Sequence, residues 1–519
     1  MTNAMSQFSK ILTEDSTTVL LALVAFTLLF LTIESNRKPS KKFPPGPRFS
    51  WPILGNLPSL DPKAPFKTFN KLAVKYGPVY RLQFGSFPVV VLNDYESVRQ
   101  AFLIQAEEFD DRPRLLLFEI VNPDRGRCCM WFDSYLFDSG LIRAHSNLAQ
   151  RVRRRFSLSA FRDLGMGKSR LEEQITDEIK RLCDVISTHE GKEFSPFRLL
   201  DMVTCNVVCC LVFGHGFDYD DPNLMRILNF LEQIFIEASF TGLTNFVPWM
   251  RYLPFSGFQK AKRIILHTTA FNEEMIKRAR GNYTRGDPRT FIDMYLDNQE
   301  KIHEENPDIA EWFDEDDLNS SIGDLYAAGT ETSSTALKWG LLYMVLQPDI
   351  QEKIHAELDS KVGRNRMPTL KDRPRLLYTE ATLLEIQRIG SIFPLGVPRA
   401  ATIDTKLYGY DIEQGTMVLP NLWAIHHDER IWKEAESFKP DRFLDSGGKL
   451  NRRERLIPFS IGKRKCLGEQ LALMELFLIF THLLHKFSFR LPEGAKPNLE
   501  PVMGANLNPQ EYKVMAVPR

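Results

Sequence analysis

One cysteine in the sequence stands apart from the rest. Cys466 sits in Phe459-Ser460-Ile461-Gly462-Lys463-Arg464-Lys465-Cys466-Leu467-Gly468-Glu469, directly ahead of an apolar stretch. Gly462 can adopt backbone angles closed to other residues, so the loop can turn tightly. Gly468 lets a flat ligand approach the start of the following helix. Backbone N–H groups at such a start favour a negative sulfur, and Lys463, Arg464 and Lys465 add three cations beside it. An ionised sulfur held this way can be an axial ligand that pushes electron density onto iron. The plainer reading is a buried cysteine at a helix cap. The other cysteines, Cys128, Cys129, Cys183, Cys205, Cys209 and Cys210, lie mostly in apolar runs and read as buried, reduced thiols.

A second group is Ala328-Gly329-Thr330-Glu331-Thr332-Ser333, in the middle of a long helical pattern. Glycine inside a helix costs about 1 kcal/mol against alanine, so its presence asks for a reason. A small residue can open a groove where the helix faces a cofactor. An acid next to a hydroxyl, Glu331 beside Thr332, can relay protons into an apolar site. An isolated Glu-Thr pair is more often a capping or back-bonded threonine. A third group is Glu385-Ile386-Gln387-Arg388 with Phe438-Lys439-Pro440-Asp441-Arg442-Phe443. Glu385 and Arg388, three apart, share a helix face and can pair. Alone, such a pair on a surface is worth a few tenths of a kcal/mol. His426-His427-Asp428 has no further ligand at useful spacing and reads as a packing pair.

In this order the segments resemble the cytochrome P450 family, over essentially the whole chain, and most nearly the microsomal, family 2 type of group. The resemblance implies a mainly α fold with a small β region: a triangular helical body with haem b buried between the long central helix and the cysteine loop. It implies Cys466 as the axial ligand of the haem iron, with Phe459, Gly462, Arg464 and Gly468 shaping the loop around it. Arg112, Arg154 and Arg399 would join Arg464 on the haem propionates, since arginine suits carboxylates bidentately. Thr332 would steady dioxygen and Glu331 would help supply protons. Glu385, Arg388 and Arg442 would form a structural network locking the approach to the cysteine loop. Phe118, Leu325, Ala328, Leu395 and Val397 would line an apolar substrate pocket. One departure stands out. The family usually has tryptophan four residues before the arginine matched by Arg154, and this chain has Gln150 within an atypical segment, 143–153. Either a propionate contact is missing or the segment is a sequence error.

These groups need elements to hold them. Residues 80–92 read as two short strands around Gly85-Ser86. Apolar residues recur at helical spacing over 171–186, 224–238 and 258–280, and over 318–346, 350–362, 378–389 and 466–489. The acidic stretch 304–317 reads as a surface connection. Between 394 and 419 the pattern turns strand-like. Ahead of this body, residues 17–33 carry no charge and, as a helix, would span about 25 Å, near the lower limit for a bilayer core. Glu14 and Asp15 precede this run; Arg37, Lys38, Lys41 and Lys42 follow it, which would leave the bulk of the chain cytoplasmic. The expected organisation is a tail (1–16), an anchor helix (17–33), a basic and proline-rich joint (34–50) and one catalytic domain (51–519).

Lysine plus arginine equals aspartate plus glutamate at 66 each across 519 residues, which argues against a polyanionic partner such as nucleic acid. No GxGxxG follows a strand as a dinucleotide site would require, so electrons must come from outside the chain. The resemblance implies NADPH–cytochrome reductase as donor, with cytochrome b5 as a second, at the endoplasmic reticulum membrane. Lys463, Lys465, Arg151, Arg153 and Arg155 are candidates for a basic docking face. The implied activity is insertion of one oxygen atom from O2 into an apolar substrate: fatty acid, steroid or foreign compound. Two rivals remain. One is a haem-thiolate isomerase or dehydratase acting on lipid peroxides; the other is a haem-poor, non-catalytic paralogue.

Overall fold

The computed structural model describes residues 25–26, 42–115, 140–142, 144–165, 169–237, 243–253, 257–451 and 454–519. The expected anchor falls almost wholly outside this set. Among the described residues no helix is long and apolar enough to cross a membrane.

The molecule is mainly helical, and its axis is the long helix Glu315–Leu346. The Asp314 side chain caps its start by accepting from Asp317 N, which uses one of the orphan N–H groups of the first turn. Helix Phe197–Phe213 is apolar almost all round, as a helix surrounded by core must be. It lies against the long helix so closely that a Cβ at Gly329 would come 2.6 Å from Val208 Cγ2. The mid-helix glycine is therefore needed for helix packing; sequence reasoning had linked it to the cofactor alone. Helix Glu469–Lys486 buries Leu476, Phe477, Leu478 and Phe480 against the same core.

Expected helices appear at Ser169–Ser187, Pro222–Glu237, Gly257–Asn282, Pro348–Lys361 and Leu377–Gly390. The strands around Gly85 are Val79–Phe84 and Phe87–Leu92, paired antiparallel. Phe87–Leu92 continues parallel to Met417–Pro420, and Arg399–Ala400 closes the sheet with Arg399 opposite Val418. Sequence reasoning did not name helices Leu148–Asp163, Phe197–Phe213 and Phe291–Glu305. Two expectations fail. The last helix starts at Glu469, leaving Cys466 in the turn before it, and gives way at Phe487 to a strand. The acidic stretch 304–317 is not a surface connection throughout: Asp317 is buried and bonded to Arg153 and Tyr295.

Candidate active site

Between the cysteine loop and the long helix lies a cavity of about 520 Å³, within the usual range for small-molecule sites. Cys466 lines it. The residue is solvent-accessible, but into this cavity, while protein packs around its other sides. The loop is held by Cys466 N donating to Phe459 O (3.0 Å) and Lys465 N donating to Gly462 O (3.0 Å). Gly462 has φ +79°, and a Cβ there would collide with the Phe102 carbonyl oxygen, so only glycine fits. A Cβ at Gly468 would lie 4.0 Å from Cys466 Sγ, beside the thiol on the cavity wall.

The three cations around Cys466 each find another partner. Lys463 pairs with Glu107, Lys465 pairs with Glu469 at 2.5 Å, and Arg464 turns away toward Asp110 and Ala144. Burial pushes the Cys466 thiol up, against the pull of the Gly468 N–H, Arg154 and Lys465.

Arg112, Arg154, Arg399 and Arg464 all line the cavity. Arg112 donates to Pro398 O (2.7 Å) and Ile142 O (2.9 Å). Arg154 donates to Lys465 O. The pairing of Arg399 with Val418 carries its side chain to Ile461 O (2.5 Å), with the guanidinium 3.7 Å over the Phe102 ring. Arg399 Nη1 is buried with no hydrogen-bond partner. Burial and the neighbouring arginines lower Arg112 well below its ordinary value and bring Arg399 down to about 9. Asp110 is the carboxylate facing this cluster among the described residues. Such an excess of buried positive charge suits a dianionic ligand, and an idle donor on Arg399 suits a carboxylate.

Facing them on the long helix, Thr332 lines the cavity and donates to Ala328 O at 2.5 Å. Leu325, Ala328, Leu395 and Val397 also line it; Phe118 lies outside the described residues. Glu331 does not line the cavity. It is buried beside the Asp201–Lys338 ion pair (2.6 Å), and burial together with Asp201 pushes it up to about 7. Sequence reasoning missed a second acid. Glu475 lines the cavity, is fully buried and accepts from Ser333 Oγ at 2.7 Å. Its Oε1 has no partner, and burial pushes it up to about 8. A charged residue within the apolar run Leu471-Ala472-Leu473-Met474-Glu475-Leu476-Phe477 was the available signal.

Glu385, Arg388 and Arg442 come together. Arg388 grips Glu385 through two bonds of 2.7 and 2.8 Å, and Arg442 Nε reaches Glu385 Oε1 at 3.0 Å. Arg388 Nη1 donates to His426 O (2.8 Å), so the network braces the segment leading to the cysteine loop. His426 packs through Ser391 and Ile457, and His427 stacks on Trp423. Among the described residues no cluster of metal-ligating side chains forms.

Residues 148–153 of the atypical segment open helix Leu148–Asp163, with Asn147 Oδ1 accepting from Gln150 N. Arg154 still reaches the cavity, while Gln150 Nε2 is buried without a partner. Arg153 leaves the expected docking face: it is buried in an ion pair with Asp317 at 2.5 Å. Arg151 pairs with Glu107 at 2.9 Å.

A mainly helical fold, with a lone thiol under a cavity ringed by arginines, defines a haem-thiolate protein. Residues 44–516 match the family model described as Cytochrome P450. The chain is 39% identical over 505 residues to cytochrome P450 2U1 of Homo sapiens, covering 92% of this chain and 90% of that protein. It is 38% identical over 511 residues to cytochrome P450 2J2 of Homo sapiens, covering 97% and 96%. The chain belongs to the cytochrome P450 family and, with these relatives, to its family 2 group. It is thus a haem-thiolate monooxygenase with haem b as its cofactor.

Proposed function

We propose that this monooxygenase inserts one oxygen atom into a C–H bond of a lipophilic substrate (fatty acid, steroid or foreign compound). The electrons come from a separate NADPH–cytochrome P450 reductase, with cytochrome b5 as a second donor. The uncharged run 17–33 supports an anchor in the endoplasmic reticulum membrane, with residues 51–519 as one catalytic domain on the cytoplasmic side. The observation that carries the reading is the cavity itself, with Cys466 on one wall and Thr332 on the facing helix.

The bound haem supplies dioxygen activation. The chain supplies the rest. Cys466 would hold the iron through sulfur, and Arg112, Arg154, Arg399 and Arg464 would take the propionates, with the idle Arg399 Nη1 as one donor. Leu325, Ala328, Leu395 and Val397 keep the reacting carbon in apolar surroundings. Two electrons and two protons accompany dioxygen; one oxygen enters the C–H bond and the other leaves as water. Thr332 presents a hydroxyl at the cavity wall. Behind it Glu475, neutral at pH 7, holds a proton beside Ser333.

The test is the ferrous-CO absorption spectrum of the purified protein, followed by turnover on a panel of lipophilic substrates. A strongly red-shifted Soret band, lost in Cys466→Ala, and product that requires NADPH, reductase and O2 are expected. Rearrangement of lipid peroxides without NADPH would instead identify an isomerase or dehydratase. Absence of the band would identify a haem-poor paralogue.

A further inference from the structure

Thr332 and Asn319 both line the reaction cavity from the long helix. At about 1.5 Å of rise per residue they stand about 20 Å apart along its axis. The cavity therefore has a second end, well away from the sulfur. There Asn272, on helix Gly257–Asn282, reaches across to Asn319. Its Nδ2 donates to Asn319 Oδ1 at 3.1 Å, and Asn319 Nδ2 in turn donates to Thr269 O at 3.1 Å. This chain of donors fixes both amides, because Asn272 turned over would set oxygen against oxygen. Asn272 Oδ1 is the acceptor left over. The residue lines the cavity and is 1% exposed, and its Oδ1 is buried with no hydrogen-bond partner. A buried carbonyl oxygen without a donor is costly, so it invites one. The charged groups at this end are acidic. Asp316 and Asp324 line it, whereas the four arginines and Lys465 that line the cavity gather at the cysteine loop.

We propose that Asn272 determines specificity: its Oδ1 accepts a hydrogen bond from a neutral donor, a hydroxyl or an amide N–H, at the end of a long lipophilic substrate. The inference rests on the monooxygenase reading above and narrows its substrate class. A donor at this point completes the Asn272–Asn319–Thr269 chain of hydrogen bonds. A carboxylate does not, since it brings no donor and meets the acidic side chains of Asp316 and Asp324. With the head group held here, the rest of the molecule runs toward Thr332 and Cys466. The carbon that is oxidised is then remote from the polar group, and one anchored end limits which carbons reach the sulfur end. A molecule much shorter than the span between the two ends cannot touch Asn272 and present a carbon for oxidation at the same time.

The experiment uses the full-length, haem-loaded enzyme. Equilibrium dialysis with radiolabelled palmitamide measures binding, with N,N-dimethylpalmitamide, methyl palmitate and palmitate as competitors. Palmitamide should bind tighter than each of the three by about fivefold or more, the worth of one hydrogen bond. Asn272→Leu should erase that preference, bringing palmitamide to the level of the ester while the ester binds as it does to the parent. A ferrous-CO spectrum like the parent's shows that the variant is folded, and the comparison of ligands on the parent enzyme needs no variant at all. With NADPH, reductase and O2, oxygen should enter palmitamide near its methyl end, and in Asn272→Leu the products should spread along the chain. The proposal is overturned if palmitate or the ester binds as tightly as the amide. It is equally overturned if Asn272→Leu weakens all four ligands alike, since the amide pair would then only tie two helices together. Oxidation without any preference for the donor sinks this inference and leaves the monooxygenase reading standing. A preference for the donor without oxidation of any of the four sinks that reading and leaves the Asn272 site standing.

Discussion

Glu385 and Glu475 are both fully buried glutamates on helices, yet their surroundings have nothing in common. Glu385 takes two bonds from Arg388, one from Arg442 Nε and one from Lys439 N at 2.8 Å. Glu475 takes a single bond from a serine and leaves Oε1 idle at the cavity. In the first case cations and an N–H surround the carboxylate. In the second, burial dominates and the neutral acid is favoured up to about pH 8. Depth of burial therefore does not decide the role of an acid; the partners do. Ringed by guanidinium groups, the carboxylate is a structural tie. Left beside a hydroxyl, it becomes a proton holder on the wall of a reaction site.

The largest effect expected from this contrast is on stability. Glu385→Ala would leave Arg388, which is fully buried, without its counter-charge, a loss on the order of 3–5 kcal/mol. Chemical denaturation and the yield of haem-loaded protein read the effect. A variant as stable as the parent would show that the arginines are satisfied by the carbonyls of His426, Ser437 and Lys433 alone.

Glu475→Gln should behave in the opposite way. The carboxyl of the folded protein is raised above its unfolded value, so its contribution is fully present below about pH 4.5. That contribution is lost as pH rises toward about 8. Glutamine does not titrate. The variant should therefore gain on the parent across this window, by an amount on the order of a few kcal/mol, and track it again above the window. Urea unfolding at pH 5 and pH 8.5 measures the difference. The infrared band of a protonated carboxylic acid at pH 7 should vanish in the variant. A parallel pH dependence in both proteins would mean that Glu475 carries charge in the fold.

The same contrast explains what could be read from the residues in advance. Cys466 and its glycines were legible because a turn that tight tolerates few residues: Gly462 has no room for a side chain against Phe102. Glu385 and Arg388 were legible as a pair from their spacing of three, whereas Arg442, 57 residues on, joined them only through the family resemblance. Arg153 was misread because a run of Arg151, Arg153, Arg154 and Arg155 resembles a solvated face; its partner Asp317 lies 164 residues away. The partners of the cations flanking Cys466 were hidden for a related reason, since Glu107 and the Ala144 carbonyl lie more than 300 residues away in the chain. Glu475 was overlooked inside an apolar helix, where the hydrophobic period drew attention away from the one residue that breaks it. Ser333 means little until the long helix and the last helix are brought together.

The smallest change is also the most discriminating. Ser333→Ala removes the single hydrogen bond that Glu475 accepts, at a cost of about 1 kcal/mol. That hydroxyl is also the group that holds the Glu475 carboxyl down against burial. Without it the acid should move further up, and the infrared band of the neutral form should persist to higher pH than in the parent. The upper edge of the stability window should shift upward with it, while the lower edge, set by the unfolded chain, stays near pH 4.5. Arg442→Ala offers the matched change on the other acid, because Glu385 keeps both bonds from Arg388. A downward shift after Ser333→Ala would mean that water enters and solvates Glu475. The acid would then belong to an open wet wall, and the distinction between the two glutamates would rest on access to water instead of on partners.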